Sequence, residues 1–162
     1  MKKFLLFAVD LLALYASLTL TLFLRYGQEF QNQYDIHLYP FLLIFALWLL
    51  VFYIANLYEA RLLRNNIFFY SALFQAIATA AGISVLFFYL LPFYGITPRT
   101  NLAVFVAIFT GLEFLLRSSL NNLFEKGLRK PVLIVGANAQ ALELAKFIKE
   151  NPQLGYELAH VV

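Results

Sequence analysis

Three sets of residues in this chain are of types and spacings that could do chemistry. Gly136, Asn138 and Ala141 stand at the key positions of a G-x-G-x-x-G/A turn, between a β-branched run and a helical one. Such a turn holds a phosphate on the amides of a helix N-terminus, and its middle glycine lets the main chain come close. The first and third positions fit. Asn138 places a side chain where the phosphate would lie, although asparagine tolerates the left-handed turn conformation. A plain structural βα turn is the favoured reading, with nucleotide or nucleotide-sugar binding as the functional one. The second set is a single residue, Asp10, inside a long apolar run. A carboxylate there costs about 2.5–3.5 kcal/mol on insertion scales, so a partner is expected. A proton or substrate relay would use it. With no second ionisable group deep in another apolar run, a packing role near one end is favoured. The third set is Glu113 and Arg117, a local i,i+4 pair, with Arg117 expected to snorkel to the membrane surface. His37 and His160 have no second ligand at metal spacing, so neither is assigned to a metal. The absence of cysteine excludes disulfides, thiolate catalysis and cysteine-zinc sites.

The elements that must position these residues are mostly apolar. Four runs, 4–24, 38–58, 67–91 and 101–120, fill most of the 162 residues. About 20 such residues cross a ~30 Å hydrocarbon core as a helix, and only helices or closed barrels satisfy their backbone in lipid. The expected fold is therefore a membrane all-α bundle of four transmembrane helices, residues 1–120. Lys2, Lys3, Arg61, Arg64, Arg117, Lys126, Arg129 and Lys130 fall on one side, against Arg25 and Arg99 on the other. Positive charge favours the cytoplasm, so both termini are placed there. The net charge of +3 reflects this orientation, and no basic groove with interleaved aromatics argues for nucleic acid. A cleaved signal peptide is the rival for the first run. That run is too long, contains Asp10 and continues into Arg25-Tyr26, which favours a retained anchor. Tyr39, Tyr89 and Tyr94 outside, with Tyr58 and Tyr70 inside, suit interfacial belts. Trp48 is expected against a neighbouring helix.

Asp10, Ser17 and Thr21 fall on nearly one face of the first helix at about 100° per residue. Ser71, Gln75 and Thr79 form a stripe on the third, with Gly82 close to it, and Ala72, Ala76 and Ala80 repeat at the same interval. Small-residue faces allow close approach, and both polar faces are expected to point into the bundle.

Composition changes after residue 120. Residues 121–130 read as a basic cytoplasmic linker or helix extension. Val132-Leu133-Ile134-Val135 suits a buried parallel strand. Residues 139–150 have helical periodicity, with Ala141, Leu144, Ala145 and Ile148 on one face, and Asn151-Pro152 and Gly155 stop the helix. Residues 156–162 read as a second strand. Residues 131–162 thus form the incomplete βαβ start of a Rossmann-like α/β domain. About 30 residues of this kind do not bury a core alone, so the chain is expected to be the N-terminal piece of a longer protein.

Four stretches carry a family resemblance: Leu24-Arg25-Tyr26-Gly27; Asn56-Leu57-Tyr58-Glu59 through Arg61; Gly95-Ile96-Thr97-Pro98-Arg99-Thr100-Asn101-Leu102; and 130–136 followed by Asn151-Pro152-Gln153-Leu154-Gly155-Tyr156. In order and spacing the chain resembles the N-terminal region of bacterial polyprenyl-phosphate glycosyl-1-phosphate transferases. The resemblance implies transfer of a sugar-1-phosphate from a UDP-sugar to undecaprenyl phosphate at the bacterial inner membrane. That step starts exopolysaccharide, capsule or O-antigen synthesis. It also implies that catalysis, with an acidic nucleophile and Mg2+, belongs to a C-terminal domain missing from this stretch. No catalytic residue and no cofactor is then assigned here. The stretch would serve as scaffold and lipid-bilayer anchor, with homodimerisation a further implication. Membrane-bound nucleotide-sugar 4,6-dehydratases and epimerases share the four-span anchor and stay open as an alternative, as does a non-catalytic membrane scaffold. A small transporter would want paired ionisable groups or broken helices near the midplane.

The orientation is testable by topology-reporter fusions. A fusion at Gln31 should report the outer side and one at Lys126 the cytoplasm; an external Lys126 overturns the four-span arrangement.

Overall fold

The computed structural model describes residues 2–59, 65–90, 99–127, 130–136, 138–151, 154 and 156–161. Arg61, Arg64, Pro92, Tyr94, the 95–98 part of the third motif, Arg129, Pro152, Gln153 and Gly155 lie outside them. Four long helices dominate: α1 (Lys2–Tyr26), α2 (Phe30–Ile54), α3 (Ile67–Leu90) and α4 (Arg99–Gly127). A small β1 (Lys130–Ile134), α5 (Ala139–Glu150), β2 (Tyr156–Val161) unit follows.

Three stretches are long and apolar enough to cross a membrane: Lys2–Ile54, Ile67–Leu90 and Thr100–Phe124. The first, of 53 residues, contains both α1 and α2. These two helices fold back on each other at the short 3-10 turn Gly27–Glu29, where Gly27 has φ +50°. That left-handed conformation favours glycine. Ring contacts then climb the hairpin: Phe23 against Phe30, Tyr15 against Phe45 and Phe7 against Tyr58.

α2 starts earlier than its apolar pattern. His37, which precedes the apolar run, lies inside the helix and is buried. Pro40 also sits within it, lacking the amide that would bond one turn back. The helix ends on Asn56, at φ +56°. Leu57 N–H donates to Phe52 O at 3.1 Å and Asn56 N–H to Tyr53 O at 3.1 Å. This is a Schellman ending with asparagine in the left-handed place usually held by glycine. α3 opens on a side-chain cap, Asn66 Oδ1 accepting from Phe69 N–H at 2.9 Å.

Neighbouring helices run antiparallel. Near its start α1 meets the C-terminal half of α4 (Asp10 with Arg117), and near its end the start of α4 (Arg25 with Asn101). α2 meets α3 through Trp48 and Ser84, and α3 meets α4 through Tyr70 and Phe114. Phe41, Phe45, Trp48 and Phe52 of α2 interleave with Phe105 and Phe109 of α4 across the middle. The tightest pair is Trp48 and Phe109, 4.8 Å apart and edge-to-face at 84°, the arrangement the ring quadrupoles prefer. Large apolar side chains such as Phe4, Leu12, Leu50, Phe68 and Leu86 point outward, as helices that are apolar all round must do in lipid.

One face assignment is corrected. Ser17 and Thr21 of α1 are buried, with hydroxyls donating one turn back to Ala13 O and Ser17 O. On α3, however, Ser71, Gln75, Thr79 and Gly82 face outward, while Ala76 and Ala80 are buried. The two stripes are one residue out of step, or about 100° around the helix, so only one can face in. The alanines win because they let α3 close on the bulky α2 aromatics. Gln75 is left with a local bond to Ser71 Oγ at 3.3 Å.

The basic stretch after residue 120 continues α4 to Gly127. Beyond it β1 and β2 pair in parallel, with Lys130 opposite Tyr156 and Ile134 opposite Val161, and an irregularity between Val132 and Leu133. Ala141, Ala145 and Ile148 of α5 pack on Ile134, with Val132 and Leu158 beside them. Leu144 is half exposed rather than part of that face.

Trp48 Nε1 donates to Ser84 Oγ at 2.8 Å, in full burial. Ser84→Ala would orphan that donor and should cost about 1–2 kcal/mol, read as a lowered denaturation midpoint in detergent micelles.

Candidate functional site

The densest polar constellation lies at the α1 N-terminal end of the bundle, around Arg117. Arg117 Nη2 donates to Asp10 Oδ2 at 2.6 Å, Nε to Glu113 Oε1 at 2.9 Å, and Nη1 to the Leu57 carbonyl at 3.0 Å. The guanidinium carbon stands 5.2 Å from the centre of the Tyr58 ring, a cation–π contact. The side chains of Asp10, Glu113 and Arg117 are all 0 % exposed. One side chain thus ties α1, the turn after α2 and α4. Only arginine offers a rigid planar fork able to reach three such acceptors at once.

Each partner is delivered by local structure. Glu113 lies one turn before Arg117 on the same face of α4. The Schellman ending of α2 turns the Leu57 carbonyl and the Tyr58 ring toward the guanidinium. Asp10 shares the buried face of α1 with Ala13, Leu14 and Ser17. Two sequence expectations change here. Asp10 is not alone, and Arg117 does not snorkel. An exposed Arg117 would leave Asp10 without a counter-charge in an apolar bundle, and a buried charge without a partner is far costlier than a buried pair.

Three polar atoms in this cluster have no hydrogen-bond partner: Asp10 Oδ1, Glu113 Oε2 and the Tyr58 hydroxyl. Two carboxylates therefore face one guanidinium, with acceptors left over. Full burial keeps bulky substrates out. Chemically the cluster is a charge-holding clamp rather than an open active site.

A second clamp closes the opposite end around Asn101. Its Oδ1 accepts from Arg25 Nη1 at 2.6 Å, and its Nδ2 donates to the Tyr26 hydroxyl at 3.0 Å. Nδ2 also meets His37 Nε2 at 2.8 Å, while His37 Nδ1 meets the Gln33 carbonyl at 2.7 Å. The network assigns a neutral ring, with Nδ1–H donating to Gln33 and Nε2 accepting from Asn101. A third polar contact joins the residues just before α3 to α4: Asn65 Nδ2 donates to Ser118 O and Asn122 Oδ1, and Asn121 Nδ2 donates back to Asn65 Oδ1.

The turn proposed from sequence has its own geometry. Gly136 has φ +123°, which a residue with a Cβ rarely adopts. Asn138 is the N-cap of α5, with Oδ1 accepting from Ala141 N–H at 2.7 Å. Asn138 and Ala141 therefore do meet, while Gly136 contributes only its backbone angle. Their bond is internal, and the cap occupies one amide that a bound phosphate would use.

Among the described residues no group of three or more His, Cys, Asp or Glu side chains is placed to hold a metal ion. Comparison with protein-family models, curated proteins and solved structures gives no match.

Sequence reasoning missed the joining of Asp10 to Arg117 and the hub role of Asn101. A signal was present: Asp10 lies near the start of the first apolar run and Arg117 near the end of the fourth, as an antiparallel pair requires. Replacing Arg117 with Leu should cost about 3–5 kcal/mol, because the buried acids lose their counter-charge. Arg117→Lys should recover only part of this, since a point charge cannot serve three acceptors. Chemical denaturation in micelles reads both.

Proposed function

We propose that this chain is the membrane-anchoring N-terminal part of a polyprenyl-phosphate glycosyl-1-phosphate transferase. In this reading α1, α2, α3 and α4 each cross the bacterial inner membrane, with both ends of the chain in the cytoplasm. The β1-α5-β2 unit is the start of a Rossmann-like domain. The enzyme moves a sugar-1-phosphate from a UDP-sugar to undecaprenyl phosphate, releasing UMP, as a first step in exopolysaccharide, capsule or O-antigen assembly.

One observation carries the reading. The motif residues behind the resemblance are those that close the bundle ends. Arg25, Tyr26 and Gly27 of the first motif meet Asn101 of the third, or form the turn beside it. Asn56, Leu57 and Tyr58 of the second form the helix stop and two of the Arg117 contacts. Motifs with such structural roles would belong to an anchor and not to a catalytic centre. In this reading magnesium and the acidic nucleophile belong to residues beyond this stretch.

The test uses inner-membrane vesicles containing the longer parent protein, labelled UDP-sugars, undecaprenyl phosphate and Mg2+. Label should enter the lipid fraction with stoichiometric UMP, while the purified 1–162 fragment should give none. Turnover by the fragment would overturn the anchor role. A 4-keto-sugar product from the parent, with no lipid label, would replace the transferase by a dehydratase.

A further inference from the structure

The Arg117 cluster has a charge count that does not balance. Asp10 and Glu113 carry two negative charges when ionised, and the guanidinium carries one positive charge at any pH a protein meets. Tyr58 is neutral as a phenol. The groups around this point are Asp10 from α1, Tyr58 from the turn after α2, and Glu113 with Arg117 from α4. From α3 the nearest titratable residue is Tyr70, which stacks on Phe114 at 5.6 Å and bonds Ser118. Among the described residues no second cation meets these groups, so both acids ionised would bury a net charge of −1, and buried charge without a partner is costly.

The unpartnered atoms show where an offset would fit. Asp10 Oδ1 and Glu113 Oε2 are buried acceptors without a donor, on two carboxyl groups whose other oxygens bond the same guanidinium. Tyr58, only 7 % exposed, lays its ring against the same guanidinium and leaves its hydroxyl unpartnered. A bridging water would supply donors but leave the charge. A metal cation would be repelled by a guanidinium already bonded to both acids. A proton both neutralises the cluster and supplies a donor where the two carboxyl groups have only acceptors.

We propose that Asp10 and Glu113 together bind one proton, forming a carboxyl–carboxylate pair clamped by Arg117. The clamp is closed when the proton is held. Its loss leaves like charges facing each other between α1 and α4, beside the turn that follows α2. The bundle thus carries a proton-binding site at the end from which α4 leads to β1. This inference does not depend on the transferase reading.

Infrared spectroscopy of the purified protein in lipid vesicles, after deuterium exchange, tests it at neutral pH. The unaltered protein should show the carbonyl band of one protonated, buried carboxylic acid. Asp10→Asn and Glu113→Gln should each abolish the band, because either leaves one carboxylate facing one guanidinium. Both should melt within about 2 °C of the unaltered protein, since each replacement keeps a polar group of the same shape. The absence of the band in the unaltered protein overturns the proposal, and that result needs no variant to fold. So does its persistence in both variants, which would place the acid elsewhere.

Discussion

A guanidinium that cannot shed its charge is fully buried in this bundle, and the arrangement around it follows from that constraint. Arg117 must find acceptors on other elements because its own helix offers only Glu113. Asp10 supplies one from α1 and the Leu57 carbonyl another from the end of α2. Each is a demand on backbone geometry. α1 must lie against α4 in antiparallel register, and α2 must stop within one residue of Asn56. Breaking any one of them exposes the others to the full cost of unpaired buried charge.

In lipid the hydrophobic effect does not drive helices together, because the surrounding tails are as apolar as the helix surface. Specificity must come from packing and from polar contacts at defined heights. The middle of the bundle uses shape: the α2 and α4 phenylalanines interleave around Trp48, which is held to α3 by its indole bond. The two ends use polar hubs, Arg117 at one and Asn101 at the other. A slip of α1, α2 or α4 by a turn, about 5.4 Å, would break both hubs at once. The aromatic layer alone could tolerate it by repacking.

Much of this architecture was legible in the sequence, and the failures have physical causes. Length and hydropathy reveal the helices, and β-branched residues followed by a helical period reveal the terminal βαβ unit, because each depends on local pattern. Periodicity placed Asp10, Ser17 and Thr21 on one face, and all three are buried. The same logic failed on α3, where a polar stripe and an alanine stripe lie about 100° apart and only the neighbouring helix decides between them. It failed again for Arg117. A long cationic side chain near a helix end has two solutions, to snorkel or to bury against an acid, and the choice rests on a residue 107 positions away. Pairings of that span leave no mark on local composition.

The candidate turn at Gly136, Asn138 and Ala141 and the cluster at Arg117 illustrate opposite uses of the same economy. At the turn the polar atoms satisfy one another: the Asn138 carboxamide takes the Ala141 amide, and glycine is needed only for the backbone angle of its own residue. Such a closed arrangement stabilises a helix start and leaves little for a ligand. In the Arg117 cluster three oxygens stay open in full burial. Open polar atoms there are costly, and a fold that keeps them has either a ligand to fill them or a state in which they are filled. The chemistry in this chain is therefore to be sought among the buried charges between α1 and α4, more than at the glycine turn that sequence patterns single out first.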